Sequence, residues 1–182
     1  MNDSLASIWG STPEERRMAF PCDSHLSDID GEYFRAVDVE APANVLFRWL
    51  CQLKVAPYSY DLIDNFGRRS PRNLLPGLEK LARGQRVMDI FELVEFEENG
   101  HLTMVMDSPW ATSIFGRIAL SYVVLPKSNV SCRLVVKIRV LYPEKPPRSW
   151  VRWFLPWGDL LMMRKQLLTL KHLAESNSSP QA

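Results

Sequence analysis

Apolar and polar positions change period along this chain, and the changes mark its elements. Tyr33, Arg35, Val37 and Val39 alternate with Phe34, Ala36 and Asp38, which is the period of a strand. Ala41-Pro42-Ala43 then opens a helix, since Pro is tolerated in a first turn. Val45, Leu46, Trp49, Leu50 and Leu53 follow at helical spacing. A short second helical turn is expected from Tyr60 to Phe66, stopped by Gly67. Residues 68–84 carry Pro71, Pro76, Gly77 and Gly84 and read as a long connector with one turn of helix. Strands resume over Arg86 to Glu97, and Asn99-Gly100 is a hairpin turn signal. Leu102, Met104 and Met106 line one face of the returning strand, with His101, Thr103 and Val105 on the other, and Ser108-Pro109 ends it.

From Gly116 to Tyr142 the chain is β-rich. Ile118, Leu120, Tyr122 and Val124 alternate, and Pro126-Lys127-Ser128-Asn129 makes a turn. Cys132, Leu134, Val136, Ile138 and Val140 then point one way, and Arg133, Lys137 and Arg139 the other. This predicts a half-buried antiparallel strand with a wet outer face. Pro143, Pro146 and Pro147 forbid its continuation. A Trp-rich connector, Arg148 to Trp157, leads into one long amphipathic helix expected to start near Gly158. Leu160, Met163, Leu167, Leu170 and Ala174 share one stripe of it. The order is strand, helix, short helix, antiparallel meander, long helix. The class is α+β, and the last helix is what can cover the open face of the sheet.

The ends are less regular. Residues 1–31 are polar, broken by Pro13 and Pro21, and read as an extended or partly ordered arm. The folded domain is expected over residues 32–175, and residues 176–182 read as a disordered tail.

Composition narrows the function classes. The chain has 182 residues, enough for one domain with a sizeable core, at 46% hydrophobic and 24% charged. A formal net charge of +1 gives no electrostatic case for nucleic acid. No apolar run is long enough for a membrane span, and the N-terminus lacks the pattern of a secretory signal. Cys22, Cys51 and Cys132 are odd in number and far apart, which suits buried free thiols in a reducing cytoplasm.

The succession of the opening strand into VEAPANVLFRWL, then YSYDLIDNFG, then LARGQRV, and finally GDLLMMRKQLLTLKHLAE, resembles the START-like, or SRPBCC, superfamily. That superfamily includes polyketide cyclase-like and coenzyme Q-binding relatives. The resemblance runs from about Tyr33 to Glu175. It implies a helix-grip fold, in which a curved antiparallel sheet wraps a long C-terminal helix around a hydrophobic cavity. The motifs mark structural positions and imply no single shared reaction.

Face assignment proposes the ligand-binding residues. Ile118, Tyr122, Leu134, Val136 and Ile138 would line the concave side of the sheet, with Met163, Leu167 and Leu170 looking down from the helix. Met104 and Met106 add a polarizable wall. Trp49, Tyr58, Tyr60 and Trp110 would supply rings and hydroxyls at one end. The same residues also suit a plain packed core. Trp150, Trp153, Phe154 and Trp157, interleaved with Arg148 and Arg152, suit a plug for the core, a lid, or a peripheral membrane or protein contact.

Catalytic signals are weak. His25, His101 and His172 have no partner at metal-ligand spacing, and no nucleophile elbow, phosphate loop or dinucleotide fingerprint is present. Asp61 and Asp64 at i, i+3, and Asp38 at the end of the first strand, fit solvated or capping roles as well as general-base work. Arg117 and Arg139 are assigned to the outer, solvated face. No catalytic residue, metal or cofactor is assigned. The leading expectation is binding or transport of a hydrophobic small molecule of the lipid, quinone or polyketide-like kind. A cyclase/aromatase-like enzyme, or an interaction module docking through the Trp-rich connector, is the alternative.

Overall fold

Strand-period alternation recurs through the chain and becomes one antiparallel sheet in the computed structural model, which describes residues 4–60, 69–143 and 148–178, the last stretch with side chains from 151. The strands are β1 (Gly31–Val39), β2 (Arg86–Val87), β3 (Phe91–Glu97), β4 (His101–Met106), β5 (Arg117–Pro126) and β6 (Cys132–Leu141). Their spatial order is β1-β6-β5-β4-β3-β2. The helices are α1 (Leu5–Ile8), α2 (Pro13–Arg16), α3 (Ala43–Cys51), α4 (Pro109–Phe115) and α5 (Arg148–Ser178). The helix-grip arrangement expected from the sequence is therefore present, with α5 and α3 on the concave face of the sheet.

Register places the concave face. One rung runs Tyr33, Ile138, Leu120, Met104, Leu93 across five strands, and the next runs Arg35, Val136, Tyr122, Leu102. Apart from Arg35, these side chains, with Trp49 and Leu50 of α3 and Met163, Leu167 and Leu170 of α5, form the main core. The hairpin at Asn99-Gly100 forms as expected, with Asn99 in the left-handed region at φ 60°.

Three expectations are corrected. The last helix begins at Arg148, ten residues before Gly158, and runs through Pro156. The Trp-rich segment is thus the front of α5 and no connector. A Pro inside a helix removes one backbone bond, which is why the sequence suggested a later start. The strands expected over Arg86 to Glu97 are two, because Met88 and Asp89 turn the chain back at φ 48° and 60°. Met88 is unfavourable in the left-handed region, and a lone Asp89 beside it is only a weak turn signal. Second, Pro109–Phe115 forms a helix, with Pro109 in its first turn.

The third correction concerns the outer face, which is covered. Phe20, Cys22 and Leu26 of the arm pack on Phe34, Ala36, Ala119 and Val135. Lys137 is buried against Asp23 at 2.6 Å and Glu32 at 3.1 Å. Arg139 pairs with Asp23 at 2.5 Å, and Arg133 with Glu15 at 2.6 Å, while Arg117 is exposed. The arm carries its own capping box, Thr12 with Glu15. Ala36 N donates to Trp9 O at 3.1 Å, so the arm also covers part of the edge strand β1.

The expected turn over Tyr60 to Phe66 lies outside the described residues beyond Tyr60 itself, as do Asp61 and Asp64. The side chain of Trp150 lies outside them too. Helix α5 continues to Ser178, and residues 179–182 lie outside the description.

Candidate functional site

Apolar side chains dominate the space between sheet and helices, and two polar pairs are set into it. Arg35 stands on the concave side of β1 at 0% exposure, because β-pleat places it with Tyr33 and Val37. Its guanidinium donates to Asp159 Oδ2 at 2.7 Å and to the Phe34 carbonyl at 2.9 Å. Burial raises the Asp159 carboxyl above its ordinary pKa, and the Arg35 charge offsets part of that rise.

The second pair lies on the same rung. Tyr122 Oη donates to Gln166 Oε1 at 2.6 Å, and Gln166 Nε2 donates to the Pro57 carbonyl at 2.6 Å. Met163 Sδ lies 3.7 Å from the same hydroxyl. Burial, then the Asp159 charge, pushes the Tyr122 pKa up, so the phenol stays protonated. Arg35 and Tyr122 flank Val136 from the two neighbouring strands. Two strand spacings amount to about 10 Å, and the seven residues from Asp159 to Gln166 climb about 10.5 Å along a helix. Strand spacing and helical rise therefore match, and α5 can meet both partners at once. A third polar contact joins the hydroxyls of Tyr33 and Tyr142 near the end of β6; burial, and then the Tyr142 bond, raise the Tyr33 pKa.

The proposed binding residues divide by exposure. Trp49, Met104, Tyr122, Leu134, Val136, Ile138, Met163 and Leu167 are buried and come together in the main core. Trp49 meets Tyr58 edge to face at 6.1 Å. Tyr60, Met106 and Ile118 are half-buried. Trp110 is 58% exposed, since α4 buries Ala111 in its place. Asp38 is exposed and paired with Lys127 and Arg133, the solvated role. His25 and His101 both face Glu95, at 3.1 and 3.8 Å.

Arg35, Asp159 and Gln166 were not singled out from the sequence. A charged residue at an apolar position of the β1 alternation was the available signal. It demands a partner of opposite charge on whatever covers that face.

Among the described residues, no group of three His, Cys, Asp or Glu could hold a metal ion. A hollow of about 70 Å³ at the β2–β3 edge, lined by Arg86, Asp89, Phe91, Glu92 and Asp107, has room for only a few waters. Among the described residues, no helix is long and apolar enough to cross a membrane.

Comparison with solved structures agrees on the fold. The di-domain ARO/CYC protein BexL, from the BE-7585A biosynthetic pathway, is 15% identical, with a TM-score of 0.53 over 82% of this chain and 48% of its own. The di-domain ARO/CYC protein StfQ, from the steffimycin biosynthetic pathway, is 10% identical, with a TM-score of 0.50 over 85% of this chain and 53% of its own. This chain thus spans about half the length of either. The chain shares the helix-grip fold with these structures. No protein-family model and no curated protein sequence matches it.

Proposed function

We propose that the chain binds a mainly apolar small molecule, of the quinone, polyketide-like or lipid kind, between the concave sheet and helices α3 and α5. One observation carries this reading. Trp49 Nε1 and Arg35 Nε are buried donors with no hydrogen-bond partner among the described residues. A buried donor left unpaired costs about 1–3 kcal/mol. A ligand oxygen arriving beside either one offsets that cost, which favours a carbonyl-bearing ligand over a pure hydrocarbon. Met104 and Met163 supply walls that adapt to an irregular outline. The ARO/CYC neighbours support the polyketide-like member of that class by fold analogy.

A cyclase/aromatase-like reaction is the second reading. The Tyr122 hydroxyl and the Asp159 carboxyl favour it, because acid–base work needs such groups inside an apolar site.

Mass spectrometry of the purified chain, native and then after organic extraction, tests the first reading. A stoichiometric co-purified quinone, polyketide or lipid is the expected result. Naphthoquinone, an aromatic polyketide and a fatty acid are then titrated by calorimetry against the wild type and Trp49→Phe. A chain of bare mass that binds none of the three overturns the proposal.

A further inference from the structure

The outward side of α5 is the feature that ligand binding leaves unused. Trp153, Trp157, Leu161, Arg164 and Leu168 succeed one another at i+4 and i+3, so they form one stripe along the helix. Trp153 is 66% exposed, Trp157 52% and Leu161 57%. Phe154, which meets Trp153 edge to face at 4.6 Å, is also exposed and widens the stripe. Core packing does not account for rings of this size in water: the inner side of α5 is already filled by Leu160, Met163, Leu167 and Leu170.

The exposed charges on this stretch are of one sign. Arg152, Arg164 and Lys165 are exposed, and Arg164 also lies over the Trp9 ring at 5.8 Å. The one carboxylate between Trp153 and Leu168, Asp159, is turned inward and held by Arg35, with 19% of its side chain exposed. Helix α4, packed against α5, is uncharged and adds exposed Trp110 and Ile114; Asp107 before it and Arg117 after it balance each other.

We infer that this side of α5 docks the protein flat on an anionic lipid bilayer. Indole rings favour the headgroup level, where one edge is apolar and the other wet. Arg and Lys beside them meet lipid phosphates, and the lack of an exposed acid on the stretch removes the repulsion that would oppose contact. The stripe from Trp153 to Leu168 is about 22 Å long at 1.5 Å per residue, the dimension of a helix lying in the interface and not across it.

Co-sedimentation of the full chain with vesicles tests it. Phosphatidylcholine vesicles containing phosphatidylglycerol are compared with phosphatidylcholine alone. The wild type is expected to sediment with the anionic vesicles and to remain in solution with the neutral ones. Trp153→Ser/Trp157→Ser should lower partitioning by roughly tenfold or more, and Arg152→Glu/Lys165→Glu should remove the preference for anionic lipid. Leu161→Asp is a third, independent surface variant, and circular dichroism confirms that each variant is folded. Wild type left in the supernatant with anionic vesicles overturns the inference, as does unchanged sedimentation of the Trp variant. A lipid-free dimer in sedimentation velocity that the Trp variant dissociates also overturns it, because the stripe then belongs to a second copy.

Discussion

Arg35 Nη2 and Asp159 Oδ2 lie 2.7 Å apart and join the first strand of the sheet to the front half of the last helix, 124 residues later. The guanidinium is wholly buried, so this pair fixes where α5 crosses the sheet. It also turns the acid away from the outer side of the helix.

Breaking the pair from one side leaves a buried cation without its counter-charge. Asp159→Leu should cost about 3–5 kcal/mol in urea unfolding. The double variant Arg35→Met/Asp159→Leu should recover most of that loss. A double variant no more stable than Asp159→Leu would show that the pair is not coupled.

Acid should weaken the arm's attachment. Burial opposes ionisation of Glu15, but the Arg133 and Thr12 hydrogen bonds hold its carboxyl below the ordinary 4.5. Asp23 is likewise held below 3.8 by Lys137, Phe20 N and Arg139, against the effect of burial. Depressed folded values contribute stability that is present above the ordinary values and lost as pH falls through the folded ones. Glu15→Gln/Asp23→Asn should be less stable at neutral pH and show a flatter acid limb, read by urea unfolding at a series of pH values. Parallel acid limbs in the two proteins would refute the linkage.

Two glycines with similar backbone angles separate packing from strain. Gly10 sits at φ +75°, and a Cβ there would meet the Ala36 carbonyl oxygen at 2.1 Å. Gly77 sits at φ +84° with nothing within 4 Å. Gly77→Ala should cost about 1 kcal/mol from backbone strain alone. Gly10→Ala should cost distinctly more and release amide protection in residues 9–26. Equal costs in thermal unfolding would mean that the close approach on β1 is not needed.

Tyr122→Phe removes the donor that satisfies Gln166 Oε1 and leaves a buried acceptor open. A loss of about 1–3 kcal/mol is expected in chemical unfolding. Gln166→Leu in the Tyr122→Phe background should restore part of it, since two apolar partners need no hydrogen bond.

The strands were legible because their alternation is strict: Leu134, Val136 and Ile138 have no other way to lie. The inner stripe of α5 was legible for the same reason. Its start was not, since Pro156 and Gly158 imitate a helix boundary inside a helix that begins at Arg148. The outer face was misread because Arg133, Lys137 and Arg139 have the pattern of solvated residues. Only tertiary contact reveals that Glu15 and Asp23, more than a hundred positions away, neutralise them. The polar pairs of the interior were hidden similarly. Asp159 and Gln166 look unremarkable beside their apolar neighbours until register sets Arg35 and Tyr122 on one rung.

The three thiols divide the molecule among themselves. Cys22 lies on the inner side of the arm, Cys51 at the end of α3 and Cys132 at the start of β6, all buried and free of disulfides. Burial pushes their pKa values up to about 11, 12 and 11, so little thiolate exists at neutral pH in the closed state. Each must be uncovered before an alkylating reagent can reach it. Labelling rates at the three positions therefore act as three clocks, timing the lifting of the arm, the loosening of α3 and the opening of the sheet within one unmodified chain.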